Sequence, residues 1–310
     1  MKLVTYQIGF APRLGAVVDE LVVDLADAGE RLDRPLPTIM QDLIDGGDRQ
    51  WDIARAVIAN PPSESLVARN EVQLLSPLPR PLRLRDCVLF VEHTANGLRR
   101  IGKPVSQEYY NQVIYFNCDH THMYGHDADV PWLRHSKWID YELEMACVIG
   151  KTVINAAPET AADCIFGYTI FNDWSARDTQ MKFMEGGQGP CEGKDFANSL
   201  GPWIVTADEI ADPYDLAMTA RVNGEIWSSG STSSMTHRFD KPIVQFSRDR
   251  TLMAGEVLGS GAVLNGCAAE LGKSLEIGDV VELEIESLGV LRNRVVAPAT
   301  PRPSPDPEDG

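Results

Sequence analysis

The chain has 310 residues, enough for about two domains, and its 44% apolar and 24% charged content is that of an ordinary globular protein. Against 45 Asp and Glu stand 28 Lys and Arg, a net charge of −17. That surplus argues against nucleic acid or an anionic membrane as a partner, because such binding needs excess cations. An anionic substrate would then need local positive charge, from a bound metal ion or from a few buried Lys and Arg. No apolar run approaches the roughly 20 residues of a membrane span, and the first residues lack the uninterrupted apolar stretch of a secretory leader. The six cysteines are widely spaced with no CxxC, which points to reduced thiols in a cytoplasmic protein.

In chain order, Lys2–Ile8 and Ala16–Leu25 alternate as strands do. Helical stretches follow from Thr38 and around Trp51–Ile58, the second ending at Asn60-Pro61-Pro62, and then a short strand at Val72–Leu75. Ser76-Pro-Leu-Pro-Arg-Pro81 has the composition of a domain junction. A small N-terminal domain of mixed α/β character is therefore expected over residues 1–78, and a second domain over 79–296. The second domain reads as short strands: Tyr141–Ile149, Gly167–Phe171, Trp203–Thr206, Ala217–Asn223 and Val280–Glu286. Within it only Glu159–Ile165 and Pro242–Ser247 have a helical pattern. The fold class is α+β, mainly β. Residues 297–310, rich in proline and poor in apolar side chains, read as a disordered tail.

The most informative stretch is Ile139-Asp-Tyr-Glu-Leu-Glu-Met-Ala-Cys-Val-Ile-Gly150. On a strand, Asp140, Glu142 and Glu144 would share one face, which continues as the apolar Ala146 and Val148. Carboxylates crowded on a half-buried face repel and are costly to desolvate unless a hard divalent cation compensates them; the alternative is a solvent-facing charged stripe. A second acidic segment, Gly167-Tyr-Thr-Ile-Phe-Asn-Asp173-Trp-Ser-Ala-Arg177-Asp178-Thr-Gln180, follows another apolar strand. By itself Asp173 reads equally as a helix N-cap, and Arg177 as a partner of Asp178 or Asp173.

The succession "DYELEMACVIGK", "GYTIFNDWSARDTQ", "EGKDFANSLGPWIVTADEI", "VNGE" and "GDVVELEIESLGVLRNRV", in order over about 70% of the chain, resembles the fumarylacetoacetate hydrolase family. The resemblance implies a mixed β-roll catalytic domain, a homodimer, and cleavage or rearrangement of β-keto acids at a divalent ion (Mg²⁺, or Mn²⁺ or Ca²⁺). It places Glu142, Glu144 and Asp173 on metal ligands, Lys194 on the active-site lysine, and Arg177 and Gln180 on groups flanking metal and substrate. Upstream, "RDCVLFVEHTANG" matches a segment in which an Asp ligand precedes the catalytic His by seven residues, nominating Asp86 and His93. Downstream, "NGCAAELG" nominates Glu270 as the residue orienting that His. The chain departs from many small bacterial members at Val91-Glu92 and Asn96, where they carry Asn-Tyr before the His and a Glu three residues after it. It also has Gly259-Ser-Gly-Ala-Val-Leu-Asn in place of a Thr-Gly-Thr-Pro turn, which puts Ser260 where a Thr contacts substrate.

These residues imply a hydrolase cutting a C–C bond in a 1,3-diketo acid of the acylpyruvate or fumarylacetoacetate type. His93, backed by Glu270, would activate water, the metal would stabilise the leaving enolate, and Lys194 with Arg177 or Gln180 would meet the oxyanion or the substrate carboxylate. The rival on the same site is decarboxylation or isomerisation of an oxaloacetate-like acid, which needs the metal but no activated water. His120, His122 and His126 tempt a zinc reading, but Gly125 breaks their register and no further ligand motif supports them. No nucleotide-binding glycine motif or GxSxG elbow is present.

Overall fold

The computed structural model describes residues 1–298, so the expected disordered tail, apart from its first two positions, lies outside the described residues. A twelve-stranded sheet forms the frame. Along it run, in spatial order, Leu66–Ala68, Leu21–Asp24, Ala11–Val18, Lys2–Ile8, Asn198–Thr206, Ile165–Asp173, Glu144–Ile149, Val257–Gly259, Leu84–Cys87 and Tyr115–Asn117. Gln73–Leu74 and Met123–Tyr124 branch from it. A five-stranded sheet (Glu225–Ser231, Ala217–Val222, Val280–Ile285, Gly289–Val296, Asp129–Pro131) and the small pair Ile139–Asp140 with Ser175–Ala176 complete the β structure. The architecture is mixed and sheet-dominated, as the sequence implies.

Strand Glu144–Ile149 shows why its sequence reads as an almost unbroken apolar run. Met145, Cys147 and Ile149 enter one apolar core, while Ala146 and Val148 enter the other. Both faces of the sheet are covered here, so alternation in polarity disappears. Each fully buried large aliphatic side chain contributes roughly 1.5–3 kcal/mol. Glu144 therefore lies on a wholly buried face, and the solvent-facing stripe is excluded for it. The sheet also runs across the expected junction at residues 78 and 79: Lys2 pairs with Val205 and Leu3 with Ile204.

Several elements differ from the sequence reading. Ala16–Leu25 is two strands joined at Asp19-Glu20, with Val18 opposite Leu21. Asp19 takes the left-handed conformation (φ 51°), which Asp tolerates in a two-residue hairpin. Tyr141–Ile149 is not one strand: ladder pairing resumes only at Glu144. The backbone N–H of Glu142 is taken by the Asn172 side chain, and that of Leu143 by the Gly266 carbonyl. Glu159–Ile165 contracts to a 3₁₀ turn, Ala161–Cys164. Helices at Val91–Arg100, Glu108–Asn111 and Ala268–Leu271 escape the sequence reading, and the short helix that could open at Asp173 begins at Arg177 and runs to Glu185. The Val91–Arg100 helix buries only Val91 and Ala95, and Arg177–Glu185 only Thr179, so neither has an apolar stripe to announce it.

Candidate active site and metal centre

Three chain segments deliver four carboxylates to one place. Asp86 comes from Leu84–Cys87, where it lies opposite Gly259 in parallel pairing. Glu144 opens its strand, Asp173 closes Ile165–Asp173, and Glu142 stands in the break just before Glu144. One oxygen from each of Asp86, Glu142, Glu144 and Asp173 lies within 4.8 Å of all the others. All four residues are buried, as is Lys194. Lys194 follows the turn Cys191–Gly193, which packs so closely on the helix carrying Gln180 that a Cβ on Gly193 would sit 2.5 Å from the Gln180 nitrogen. Only glycine permits that approach.

The Lys194 ammonium donates to Glu142 Oε2 at 2.5 Å and Asp173 Oδ2 at 2.6 Å. Arg177 grips Asp140 through Nε (2.8 Å), Glu142 Oε1 through Nη2 (2.9 Å) and Gln180 Oε1 through Nη1 (3.1 Å). Burial opposes ionisation of Glu142, but Lys194, Arg177 and His93 outweigh it and hold this carboxyl well below the usual range. The other three behave oppositely. Burial, opposed by Lys194 and reinforced by Glu142, pushes Asp86 up to about 6. Burial with the neighbouring carboxylates raises Glu144 well above the ordinary value, and burial raises Asp173 despite its contact with Lys194.

These shifts express uncompensated negative charge, and the hydrogen bonding says the same. Asp86 Oδ1, Glu144 Oε1 and Asp173 Oδ1 are buried with no hydrogen-bond partner. An unpartnered buried oxygen is costly, and three of them in one cluster are what a hard cation with oxygen ligands relieves. The residues fit a divalent ion of the Mg²⁺, Mn²⁺ or Ca²⁺ kind.

Beside the cluster, the Val91–Arg100 helix presents His93, Asn96 and Arg100 to the short helix Ala268–Leu271. His93 Nδ1 lies 2.8 Å from Glu270 Oε2, and Asn96 Nδ2 donates to Glu270 Oε1 at 2.8 Å. Arg100 donates to the backbone carbonyls of Ala269 and Glu270. Burial opposes ionisation of Glu270, but the His93 and Asn96 contacts prevail and hold it below the usual range. Because an ionised carboxylate only accepts, Nδ1 carries the proton. His93 Nε2 then faces the cluster, 3.7 Å from Glu142 Oε1. From the other side, Asp140 accepts from the backbone N–H groups of Ala268 (2.8 Å) and Ala269 (3.2 Å), tying the Arg177 clamp to the Glu270 helix.

The sequence profile of the fumarylacetoacetate hydrolase C-terminal family matches residues 86–296. The chain belongs to the fumarylacetoacetate hydrolase family. It is 31% identical over 308 residues to a Xenopus laevis protein named oxaloacetate tautomerase fahd2, mitochondrial, covering 96% of this chain and 90% of that one. It is 28% identical over 307 residues to oxaloacetate tautomerase YisK of Bacillus subtilis, covering 95% and 100%. Among solved structures, fumarylacetoacetate hydrolase from Exiguobacterium antarcticum superimposes with a TM-score of 0.75 at 26% identity, covering 96% of this chain and 99% of that one.

Set against this family's site as the sequence implies it, the structure gathers Asp86, Glu142, Glu144, Asp173 and Lys194 into one cluster, with Arg177, Gln180, His93 and Glu270 around it. Ser260 stands apart. It is fully buried, and its hydroxyl accepts from the Met145 N–H and donates to the Gly261 carbonyl, pinning the backbone beside Glu144. Asp140 does not share the role of its acidic neighbours, because the strand breaks after it and it turns to Arg177. Arg177 pairs with Asp140 and Glu142 rather than with Asp178, which instead holds Ser136 and the Lys137 N–H. Asp173 is a strand terminus, not an N-cap. His122 and His126 bond to Asp119 and Asp127 and join no metal-binding group among the described residues. Asn96 as the holder of Glu270 is the residue that sequence reasoning missed. Its position three residues after His93 on one helix face was the available signal.

Ion binding at this centre should strengthen as pH rises. Asp86, Glu144 and Asp173 all have raised values, so at low pH protons occupy the oxygens the ion needs. The sign for stability follows: the ion-free protein gains from protonation here at acid pH and loses that gain as pH climbs through about 6. Mn²⁺ should accordingly raise the melting temperature more at about pH 8 than at about pH 5, with proton release on binding. Calorimetry in two buffers of different ionisation enthalpy checks this, and pH-independent affinity with no released proton would refute it.

Proposed function

We propose that this chain is a divalent-metal-dependent enzyme for a small 2-oxo dicarboxylic acid of the oxaloacetate type, catalysing keto–enol proton transfer. The observation that carries the reading is the direction of His93: Glu270 fixes its Nδ1–H, leaving Nε2 as a base facing the buried carboxylate cluster. The names of the relatives favour tautomerisation over the hydrolysis that the sequence motifs suggest first.

A divalent ion held by Asp86, Glu142, Glu144 and Asp173 supplies Lewis-acid stabilisation of enolate charge. His93 Nε2 takes a proton from the carbon between the carbonyl and the distal carboxylate, breaking that C–H bond, while the carbonyl oxygen takes a proton from solvent and the imidazolium returns its own to solvent. Glu270, pinned by Asn96, keeps the imidazole in the right tautomer and steadies its transient positive charge. Lys194 and Arg177 hold Glu142 ionised and give the acidic chain local positive charge for an anionic substrate. Gln180, whose Oε1 accepts from Arg177, would offer its amide N–H₂ to a substrate carboxylate.

Hydrolysis of an acylpyruvate remains a second reading, favoured by the same dyad, which could deprotonate water. The two separate in one panel. Oxaloacetate enol decay is followed by ultraviolet absorbance, pyruvate and carbon dioxide are measured, and acylpyruvates are offered with Mg²⁺, Mn²⁺ or a chelator. Metal-dependent acceleration of enol decay without carbon loss is the expected result. Cleavage of acylpyruvates with no acceleration of oxaloacetate exchange would transfer the assignment to the hydrolase. A homodimer in the cytoplasm completes this proposal, supported by the family resemblance and by six free thiols.

A further inference from the structure

Next to the hard-ion centre lies a second group of ligand atoms with different chemistry. One atom each from His93, Cys267 and Glu270 lies within 4.8 Å of the other two. The Cys267 Sγ is 3.8 Å from Glu270 Oε2, the oxygen that His93 Nδ1 also contacts at 2.8 Å. Cys267 is 1% exposed and burial pushes its thiol up, so in the resting protein it is a neutral S–H beside a carboxylate. The mechanism makes no use of this sulfur.

We infer that His93, Cys267 and Glu270 form an inhibitory site for soft, thiophilic divalent cations, Zn²⁺ above all and Cd²⁺ as its probe. A sulfur, an imidazole nitrogen and a carboxylate oxygen are each ligand types that zinc takes, and three protein ligands leave a fourth position to water. Zn–S near 2.3 Å and Zn–N near 2.0 Å separate tetrahedral ligands by roughly 3.5 Å, inside the span these atoms already occupy. The all-oxygen cluster of Asp86, Glu142, Glu144 and Asp173 favours hard ions instead, so the two neighbouring sites sort cations by softness. Access is through His93, whose side chain is 19% exposed. Binding forms one metal–sulfur, one metal–nitrogen and one metal–oxygen bond. It releases the Cys267 thiol proton to solvent, together with the His93 Nδ1 proton where that nitrogen is the ligand. The Glu270–His93 hydrogen bond is lost, and the base is locked to the ion. Inhibition thus rests on the His93 role given above, whereas occupancy of the site does not.

The test adds Cd²⁺ to the Mg²⁺-loaded full chain and follows thiolate-to-metal charge-transfer absorption in the ultraviolet, with activity assayed in parallel under Zn²⁺. A saturable one-equivalent band that disappears in Cys267→Ser, with at least a tenfold weaker Zn²⁺ inhibition in that variant, is the expected result. Mn²⁺ affinity, read by electron paramagnetic resonance, should be unchanged in Cys267→Ser. No band in the wild type, or an undiminished band in the variant, overturns the site. A Cys267-dependent band without inhibition keeps the site and removes His93 from the reaction. If Cys267→Ser fails to fold, Cys267→Ala and Glu270→Gln take its place, and a Cd²⁺ band of wild-type affinity in both overturns the proposal.

Discussion

Replacing Lys194 by Met should cost stability and turnover together, and the stability loss should be recovered by the ion. Lys194 is a buried ammonium whose two shortest contacts are Glu142 Oε2 and Asp173 Oδ2. Its removal leaves two buried carboxylates without their cation, a change that typically costs about 3–5 kcal/mol when one partner of a buried pair is deleted. Burial works against its charge, yet Asp173 and Glu142 raise it above the ordinary lysine value, so it remains an ammonium throughout the physiological range. Melting curves of Lys194→Met without metal should fall well below wild type, and saturating Mn²⁺ should close much of the gap. Turnover with Mn²⁺ should remain down by roughly 10²–10³-fold, the usual effect of deleting one preorganised electrostatic contact. Equal metal-free melting temperatures for variant and wild type would show that the ammonium does not hold the cluster together.

Replacing His93 by Asn separates chemistry from metal binding. His93 approaches Glu142 only at 3.7 Å and lies outside the four-carboxylate group. Mn²⁺ affinity should therefore stay within about threefold of wild type, while turnover falls by roughly 10²–10⁴-fold, the range for loss of a general base. Glu270→Gln should give a smaller drop in the same direction, because an amide can accept the Nδ1–H but cannot stabilise the imidazolium. Titration of Mn²⁺ by paramagnetic resonance beside enol-decay kinetics provides both readouts. A His93→Asn enzyme that retains turnover would take the base role from the imidazole.

How far the sequence discloses this site depends on which force organises each part. Of the four clustered carboxylates, Glu142, Glu144 and Asp173 are legible because acidic residues beside apolar strands have few ways to be stable, whereas Asp86 is legible only through the family resemblance. The face on which Asp140 sits is not legible. Period-two reasoning assumes a continuous ladder, and here the Asn172 side chain and the Gly266 carbonyl take the backbone donors that would have continued it. The helix carrying His93 is equally hidden, since it buries only Val91 and Ala95, and Arg177–Glu185 buries only Thr179. The strands Ile165–Asp173 and Asn198–Thr206, buried along their whole lengths, extend beyond the runs visible in the sequence because their polar ends, Asn172, Asp173, Asn198 and Ser199, are paired inside the fold.

The continuity of the large sheet has a consequence for how the catalytic part can vary. Strand Lys2–Ile8 flanks Asn198–Thr206, which in turn flanks the strand that ends at Asp173. Two backbone ladders thus separate the N-terminal hairpin from a carboxylate of the buried acidic cluster. Cutting at the proline-rich connector would bare the amide edge of Asn198–Thr206 along its pairing with Lys2 and Leu3, inviting self-association. Strands Lys2–Ile8 and Ala11–Val18 thus form a rib of the wall that carries the carboxylate cluster, so a change that loosens them would be felt two strands away.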